Sequence, residues 1–515
     1  KKPQEIAQVI AKALDALDSV AKTEIAGPGY VNVWLTVPAL LKEVQWSIEA
    51  CTPKKSDGKS PPIIIDYSQP NVAKPLGVHH LLSTLIGQAL ANINRHLGQE
   101  VVGINYIGDW GTQFGKLAVA HRRWGTKPVE QCSIDELLAL YVRFHNEAEQ
   151  DESLEEEGRT VFRSMEEGDK GLLQFLERVT EASLREVQRM YDRLNVSIEH
   201  VRGESYYRDA MDPVMKEGQE SGVFTEGEEG ALIAQYPEEK NLPPGIILKK
   251  DGASIYLTRD LAAVRDRIET WNPAEILYVV DSAQSLYFKQ VFATIELLGW
   301  KVPVLEHVVF GRMRFTDKKM STRKGNILKL EEVLDEAVER ASDVIAQHGE
   351  EVQTDDPADL AEMMGIGAVA YGILSQNRKM DIVFDWERIL SFDGNSAPYV
   401  QYTHAMACSV LRKADVGTTP LPGDAQECTE KERGLMNELA RFPLVLEEAR
   451  AARLPHLLTN YLFALCQSFN GFYNAEPILK ADTQVRPLRL ALTAAVADVL
   501  KAGAELLTIR VPDRM

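Results

Sequence analysis

Two adjacent histidines stand in KPLGVHHLLST, residues 74–84, directly after an apolar run and a turn, IIIDYSQPNVA. A helix that begins there offers unpaired amide donors and the positive end of its dipole, which suits an anion. His79 and His80 at such a start can donate hydrogen bonds to phosphate oxygens or a ribose, and Lys74 adds a point charge. Polar surface residues in a turn explain the stretch about equally well. A second segment, KKMSTRKGN at 318–326, combines hydroxyls, cations and a glycine. That composition fits a loop that closes on a polyphosphate and stabilises charge as pyrophosphate leaves; the bland alternative is a solvated basic turn. It is not a Walker loop, because no G-x-x-x-x-G-K-[ST] occurs. In YLTRD, Tyr256 and Asp260 are four apart and share a face if a helix starts there. A carboxylate beside a phenol suits a cation, above all a guanidinium, which pairs bidentately with carboxylates. Taken alone, the pentapeptide reads more simply as a surface Asp–Arg pair. Asp66 and Asp109, at the ends of other apolar runs, enlarge the acidic pocket.

The elements that must position these residues follow from hydrophobic pattern. IIIDYS is a continuous apolar run, expected of a strand buried on both faces. LLSTLIGQALANINRHLG has helical spacing and stops at Gly98, and QEVVGINYIGDWG supplies the next strand. Strand–helix–strand implies a parallel, doubly wound sheet, whose ligands bind at the carboxyl ends of strands near a topological switch point. From about 120 to 245 the chain is helix-rich and charged, which reads as an insertion. The strand–helix rhythm then returns with GIILKK and SIYLTRDLAAVRDRI, then EILYVVDSAQSLYFKQVFATIELLG and VLEHVVFGRM, and beyond 386 amphipathic helices take over. The expected fold is therefore α/β: a Rossmann-like parallel sheet domain over 60–385, a helical insertion at about 120–245, an all-α C-terminal bundle over 386–515, and a small α+β N-terminal domain over 1–55. Tyr399, Tyr402, Phe469, Phe472 and Tyr473 in the bundle, interleaved with Arg and Lys, could stack on single-stranded RNA, although most aromatics at helical spacing are core.

Bulk properties set the outer limits. A length of 515 residues allows several domains, and a net charge of −19 speaks against indiscriminate nucleic-acid binding while permitting a local basic patch. Five scattered cysteines without a C-x-x-C argue against a disulfide framework and a thiolate zinc site, so a reducing cytoplasm and no structural metal are expected. No apolar run reaches the ~20 residues a membrane helix needs.

Taken together, DYSQPNVAKP, HLLST, NYIGDWGTQFGKL, YLTRDLAA, MSTRKGN, DGNSAPYVQYTHA and the terminal VPDRM resemble the arginyl-tRNA synthetases, a family of class I aminoacyl-tRNA synthetases. The resemblance implies a nucleotide-binding fold split by an insertion, a helical anticodon-binding domain, and an N-terminal domain that touches the tRNA elbow, here short or truncated. It implies L-arginine, ATP with Mg2+, and tRNA(Arg) as substrates, a monomer, no membrane, and no editing domain. Residues 77–80 correspond to the family's His-x-Gly-His signature but read Gly77-Val78-His79-His80, with the first His and the Gly exchanged. Either the loop is shifted so that His79 replaces the first histidine, or the purine sits differently. By the same resemblance Lys319, Met320, Ser321, Arg323 and Lys324 close on the triphosphate, with Lys74, Gly77, His79 and His80 on ATP. Asp66, Tyr256 and Asp260 hold the guanidinium, and Asn71 and Gln284 hold the α-amino and carboxylate groups. Two rivals share these motifs: a ligase that transfers the activated amino acid to a non-tRNA acceptor, and a non-catalytic paralogue that binds RNA or senses arginine.

Overall fold

Ile63, Ile64 and Ile65 are buried on both faces, as three β-branched residues in a row require of a central strand. The computed structural model describes residues 2–227, 230–248, 256–316, 328–348, 352–392, 394–415, 420–423 and 425–515. In it, the strand Ile63–Asp66 lies between Val101–Asn105 and Glu275–Tyr278, all parallel. His200–Val201 extends one edge and Val304–His307 the other. In chain order these five strands run 3-2-1-4-5 across the sheet. The order reverses at the strand ending in Asp66, and the crevice there is where ligands of such sheets bind.

The helix Val78–His96 covers this strand and comes unusually close to it. A Cβ on Gly87 would stand 2.3 Å from Cγ of Tyr67, so only glycine permits the contact. Tyr67 is fully buried and donates its hydroxyl to Gln88 Oε1 at 2.9 Å, on the next helical position.

The expected insertion is less uniform than its charge suggests. Helices Ile134–Ala148, Ser153–Glu166 and Lys170–Arg193 pack on Thr112–Trp124 around Trp110, Phe114 and Phe162. The chain then returns to the central sheet at His200–Val201, within 120–245. A small antiparallel sheet follows, from Phe224–Glu226, Leu232–Ala234 and Gly245–Leu248. The two- and three-residue strands at 200–201, 224–226 and 232–234 leave no readable periodicity, so sequence pattern alone merged them with the helices, whereas Gly245–Leu248 falls in GIILKK, where the rhythm was read to return.

Two compact units emerge: 56–336 with 376–384, and 1–55 with 337–375 and 385–515. This division differs from the sequence segments in placing 337–375 with the C-terminal helices, on which the helix Pro357–Leu374 packs; Ile382–Phe384 stays with the sheet unit by pairing with Met313–Phe315. In the helical unit Phe469 and Phe472 are fully buried core, whereas Tyr399, Tyr402 and Tyr473 line a cavity of about 640 Å³. No helix among the described residues is long and apolar enough to cross a membrane.

Candidate active site

The turn after the central strand is held in an unfavourable backbone conformation. Ser68, Gln69 and Ala73 take φ of 75°, 57° and 62°, a left-handed region that non-glycine residues adopt at a cost. Buried hydrogen bonds over-determine it: Ser68 N–H donates to Ser83 Oγ at 3.0 Å, Gln69 N–H to Asn105 Oδ1 at 3.2 Å, and Ala73 N–H to Ser183 Oγ at 3.0 Å. Val72 and Gly108 exchange backbone bonds with the neighbouring turn, at 3.1 Å to Gly108 O and 2.9 Å to Pro70 O. A Cβ on Gly108 would meet Asn71 Oδ1 at 2.5 Å, so the glycine makes room for that side chain. The result is a rigid rim that presents Gln69 and Asn71 to two adjoining cavities.

The first cavity, about 470 Å³, opens at the switch point and is lined by Asp66, Asn71, Tyr256, Asp260 and Gln284, all expected there from sequence. Tyr256 and Asp260 do lie one turn apart on the helix Tyr256–Trp271. Glu204, Tyr106, Arg267, Tyr278 and Tyr287 complete the wall. Partners separate the three carboxylates. Asp66 is already engaged on both oxygens: Gln69 Nε2 donates to Oδ1 at 2.7 Å and Arg267 Nη2 to Oδ2 at 2.6 Å. Glu204 pairs with the Arg259 guanidinium. Asp260 has no ion pair among the described residues; the Tyr287 hydroxyl donates to it instead, and Tyr106 lies on the same wall. Burial raises its pKa above the ordinary carboxylate value, partly offset by the Tyr287 bond and by Arg267. Burial pushes Glu204 up to about 7, with Arg259 opposing and Asp260 and Asp109 reinforcing. A pocket with one buried carboxylate left without a cationic partner among the described residues is poised for a cation.

Asp109, expected to enlarge this pocket, does something else. Its carboxylate accepts from Ser205 N–H at 2.8 Å and Ser205 Oγ at 2.6 Å, and a Cβ on Gly203 would crowd Oδ1 at 2.4 Å. It pins the turn that carries Glu204 and is not on the cavity wall.

The second cavity, about 440 Å³, is lined by His79, His80, Asp281 and Arg312 and shares Gln69, Asn71 and Val280 with the first. Gly77 precedes the helix, and its N–H and C=O lie 3.1 Å and 3.3 Å from His80 Nδ1, which engages that nitrogen and leaves Nε2 facing away from the turn. The two imidazoles lie 3.9 Å apart between centroids. Burial lowers both pKa values, His80 to about 3, so at neutral pH these are uncharged donors rather than cations. Lys74 Nζ stands 5.8 Å from the Tyr141 ring centroid and does not line either cavity. Lys319, Met320, Ser321, Arg323 and Lys324 lie outside the described residues. Their flanks are fixed, however: Val78 N–H donates to Leu328 O at 3.0 Å, Leu330 N–H to Leu76 O at 2.8 Å, and Thr316 N–H to Phe384 O at 3.2 Å. Leu328 and Leu330, which follow that segment in the chain, are thus bonded to the residues flanking Gly77.

Comparison with known proteins decides the family. Residues 40–386 match the description "tRNA synthetases class I (R), catalytic domain", 400–515 the "DALR anticodon binding domain", and 1–35 the "Arginyl tRNA synthetase N terminal domain". The arginine–tRNA ligase of Alkaliphilus metalliredigens is 40% identical, with 100% of this chain and 91% of that protein covered. The arginine–tRNA ligase of an Exiguobacterium species is 41% identical with the same coverage. The chain belongs to the class I arginyl-tRNA synthetases. The solved Thermus thermophilus arginyl-tRNA synthetase superposes with a TM-score of 0.84 at 27% identity, covering 100% of this chain and 92% of that one. Synthetases of this class use ATP. Glu204, Tyr106 and Tyr287 are wall residues of this arginyl-tRNA synthetase that sequence reasoning missed. Glu204 sits in a short turn, and nothing local marked it as facing the YLTRD helix.

Proposed function

We propose that the first cavity binds L-arginine, the second binds ATP, and the chain joins them before transferring arginine to tRNA. The observation that carries the reading is Asp260, a carboxylate without an ion-pair partner among the described residues, hydrogen-bonded by the Tyr287 phenol in a cavity that adjoins a second one at the helix start. Tyr256 and Asp260 face the guanidinium, and Asn71 and Gln284, nearer the shared rim, hold the α-amino and carboxylate groups. An arginine carboxylate oxygen attacks the α-phosphorus of ATP, which enters as its magnesium complex, and the bond to the β-phosphate oxygen breaks. Arginyl-adenylate forms and pyrophosphate leaves. The 2′-hydroxyl of the terminal adenosine of tRNA(Arg) then attacks the activated carbonyl and AMP departs. His79 and His80 act as neutral hydrogen-bond donors at the helix start, while Lys319, Ser321, Arg323 and Lys324 supply the charge on the triphosphate.

Selectivity follows from the same wall. A neutral side chain leaves Asp260 unpaired in a buried site, and lysine lacks the planar fork that two acceptors require. The helical residues 386–515 take the anticodon and 1–55 the tRNA elbow, and the enzyme acts as a cytoplasmic monomer. ATP–pyrophosphate exchange with and without tRNA(Arg) tests the reading. Arginine-dependent exchange followed by transfer to tRNA supports it; no exchange with arginine and cognate tRNA would refute it, and exchange without transfer would favour a non-tRNA acceptor.

A further inference from the structure

Arg267 lies two helical turns beyond Asp260 and reaches the same cavity from within the protein. Its Nη2 donates to Asp66 Oδ2 at 2.6 Å, with the two side chains 1% and 3% exposed. The guanidinium carbon stands 5.3 Å from the Tyr278 ring centroid and 5.8 Å from that of Tyr106. Among the described residues, Nε and Nη1 find no protein hydrogen-bond partner. The group is therefore held by charge and ring faces rather than by a completed fork of hydrogen bonds. A buried cation with such partial satisfaction is costly unless its charge serves a purpose.

We infer that Arg267 is a positioning residue that sets the charge of the arginine pocket by neutralising Asp66, so that Asp260, not Asp66, receives the substrate guanidinium. The inference deepens the proposed function and rests on it. Asp66, Glu204 and Asp260 bring three carboxylates to the wall, and Arg259 and Arg267 bring two guanidiniums to two of them. With all three acids ionised, the state a bound cation favours, one net negative charge remains, which one substrate guanidinium matches. Losing Asp66 alone leaves a resident cation that repels the substrate. Losing Arg267 alone leaves a buried acid that competes with Asp260 for the proton or for the guanidinium. Losing both restores the balance.

The test is a four-way comparison by tRNA-supported ATP–pyrophosphate exchange: wild type, Asp66→Asn, Arg267→Gln and the double variant, each checked by thermal melting. Asp66→Asn raises the KM for arginine on the order of 10²-fold with the KM for ATP little changed. The double variant recovers at least about tenfold of that loss. A folded double variant as poor as Asp66→Asn makes Asp66 a direct substrate ligand and overturns the inference. Should Asp66→Asn fail to fold, the other two decide, because charge balance makes the double variant a better arginine binder than Arg267→Gln and direct ligation makes it a worse one. Arg267→Lys keeps the charge and holds the arginine KM near wild type; a loss equal to that of Arg267→Gln also overturns it. A wild type inactive with arginine refutes the proposed function itself, whereas an active wild type with either overturning pattern refutes only the role of Arg267.

Discussion

Three acids line one pocket, and their partners, not their proximity, decide what each does. Asp66 faces a resident arginine, Glu204 faces another, and Asp260 faces phenols. Burial holds the Tyr287 and Tyr106 pKa values well above the ordinary phenol range, so both remain donors. Glu204, raised to about 7, gives the pocket a pH dependence. Its carboxylate form helps hold a cation, so the KM for arginine should climb as pH drops below about 7, by up to roughly tenfold at pH 6. The sign for folding is opposite. A carboxyl whose folded pKa lies above the unfolded value keeps a proton the unfolded chain has released, so Glu204 costs stability as pH rises from 4.5 to about 7. Steady-state arginine KM from pH 6 to 8 checks the first effect, and Glu204→Gln should remove the slope; an unchanged slope in that variant would assign it to another group. At this scale the sequence was half legible. Tyr256 and Asp260 were found because helical spacing places them together from local information alone. Arg267 and Glu204 were not, because whether an acid is free or paired depends on residues 201 and 55 positions away in the chain.

Among elements, the strand–helix–strand rhythm around 63–105 was readable because an all-apolar strand and a helix of helical spacing leave different periods. His200–Val201 and the strands at 224–226 and 232–234 were hidden by their shortness, and the 337–375 helices, which the matched catalytic family model includes, pack in the helical unit. The contact of the helix Val78–His96 with Tyr67 gives a direct prediction. Alanine is the better helix former by about 1 kcal/mol, but its Cβ would lie 2.3 Å from Tyr67 Cγ, and overpacking of that kind costs ~1–3 kcal/mol. Gly87→Ala should therefore lower the urea midpoint of the α/β unit. A midpoint equal to or above wild type would show that the helix can shift away from the sheet without penalty.

At the scale of the whole molecule, the net charge of −19 means that tRNA must be met by local groups rather than by the field of the protein. The helical unit contains a buried ionic network. Arg489 donates through Nε to Glu432 and through Nη2 to Glu476, each at 2.7 Å, and the Glu432 side chain is 2% exposed. Arg489→Ala strands that carboxylate and should cost ~3–5 kcal/mol, lowering the thermal transition that reports on this unit. A melting profile like that of wild type would show the network to be dispensable. The proposed function converges on the contact of Asp260 with the substrate guanidinium. The most direct measurement is ATP–pyrophosphate exchange, with tRNA present, by wild type and Asp260→Asn as arginine and ATP are varied in turn. The KM for arginine should rise on the order of 10²-fold while that for ATP stays near wild type. An arginine KM that does not move would mean that the guanidinium lies elsewhere.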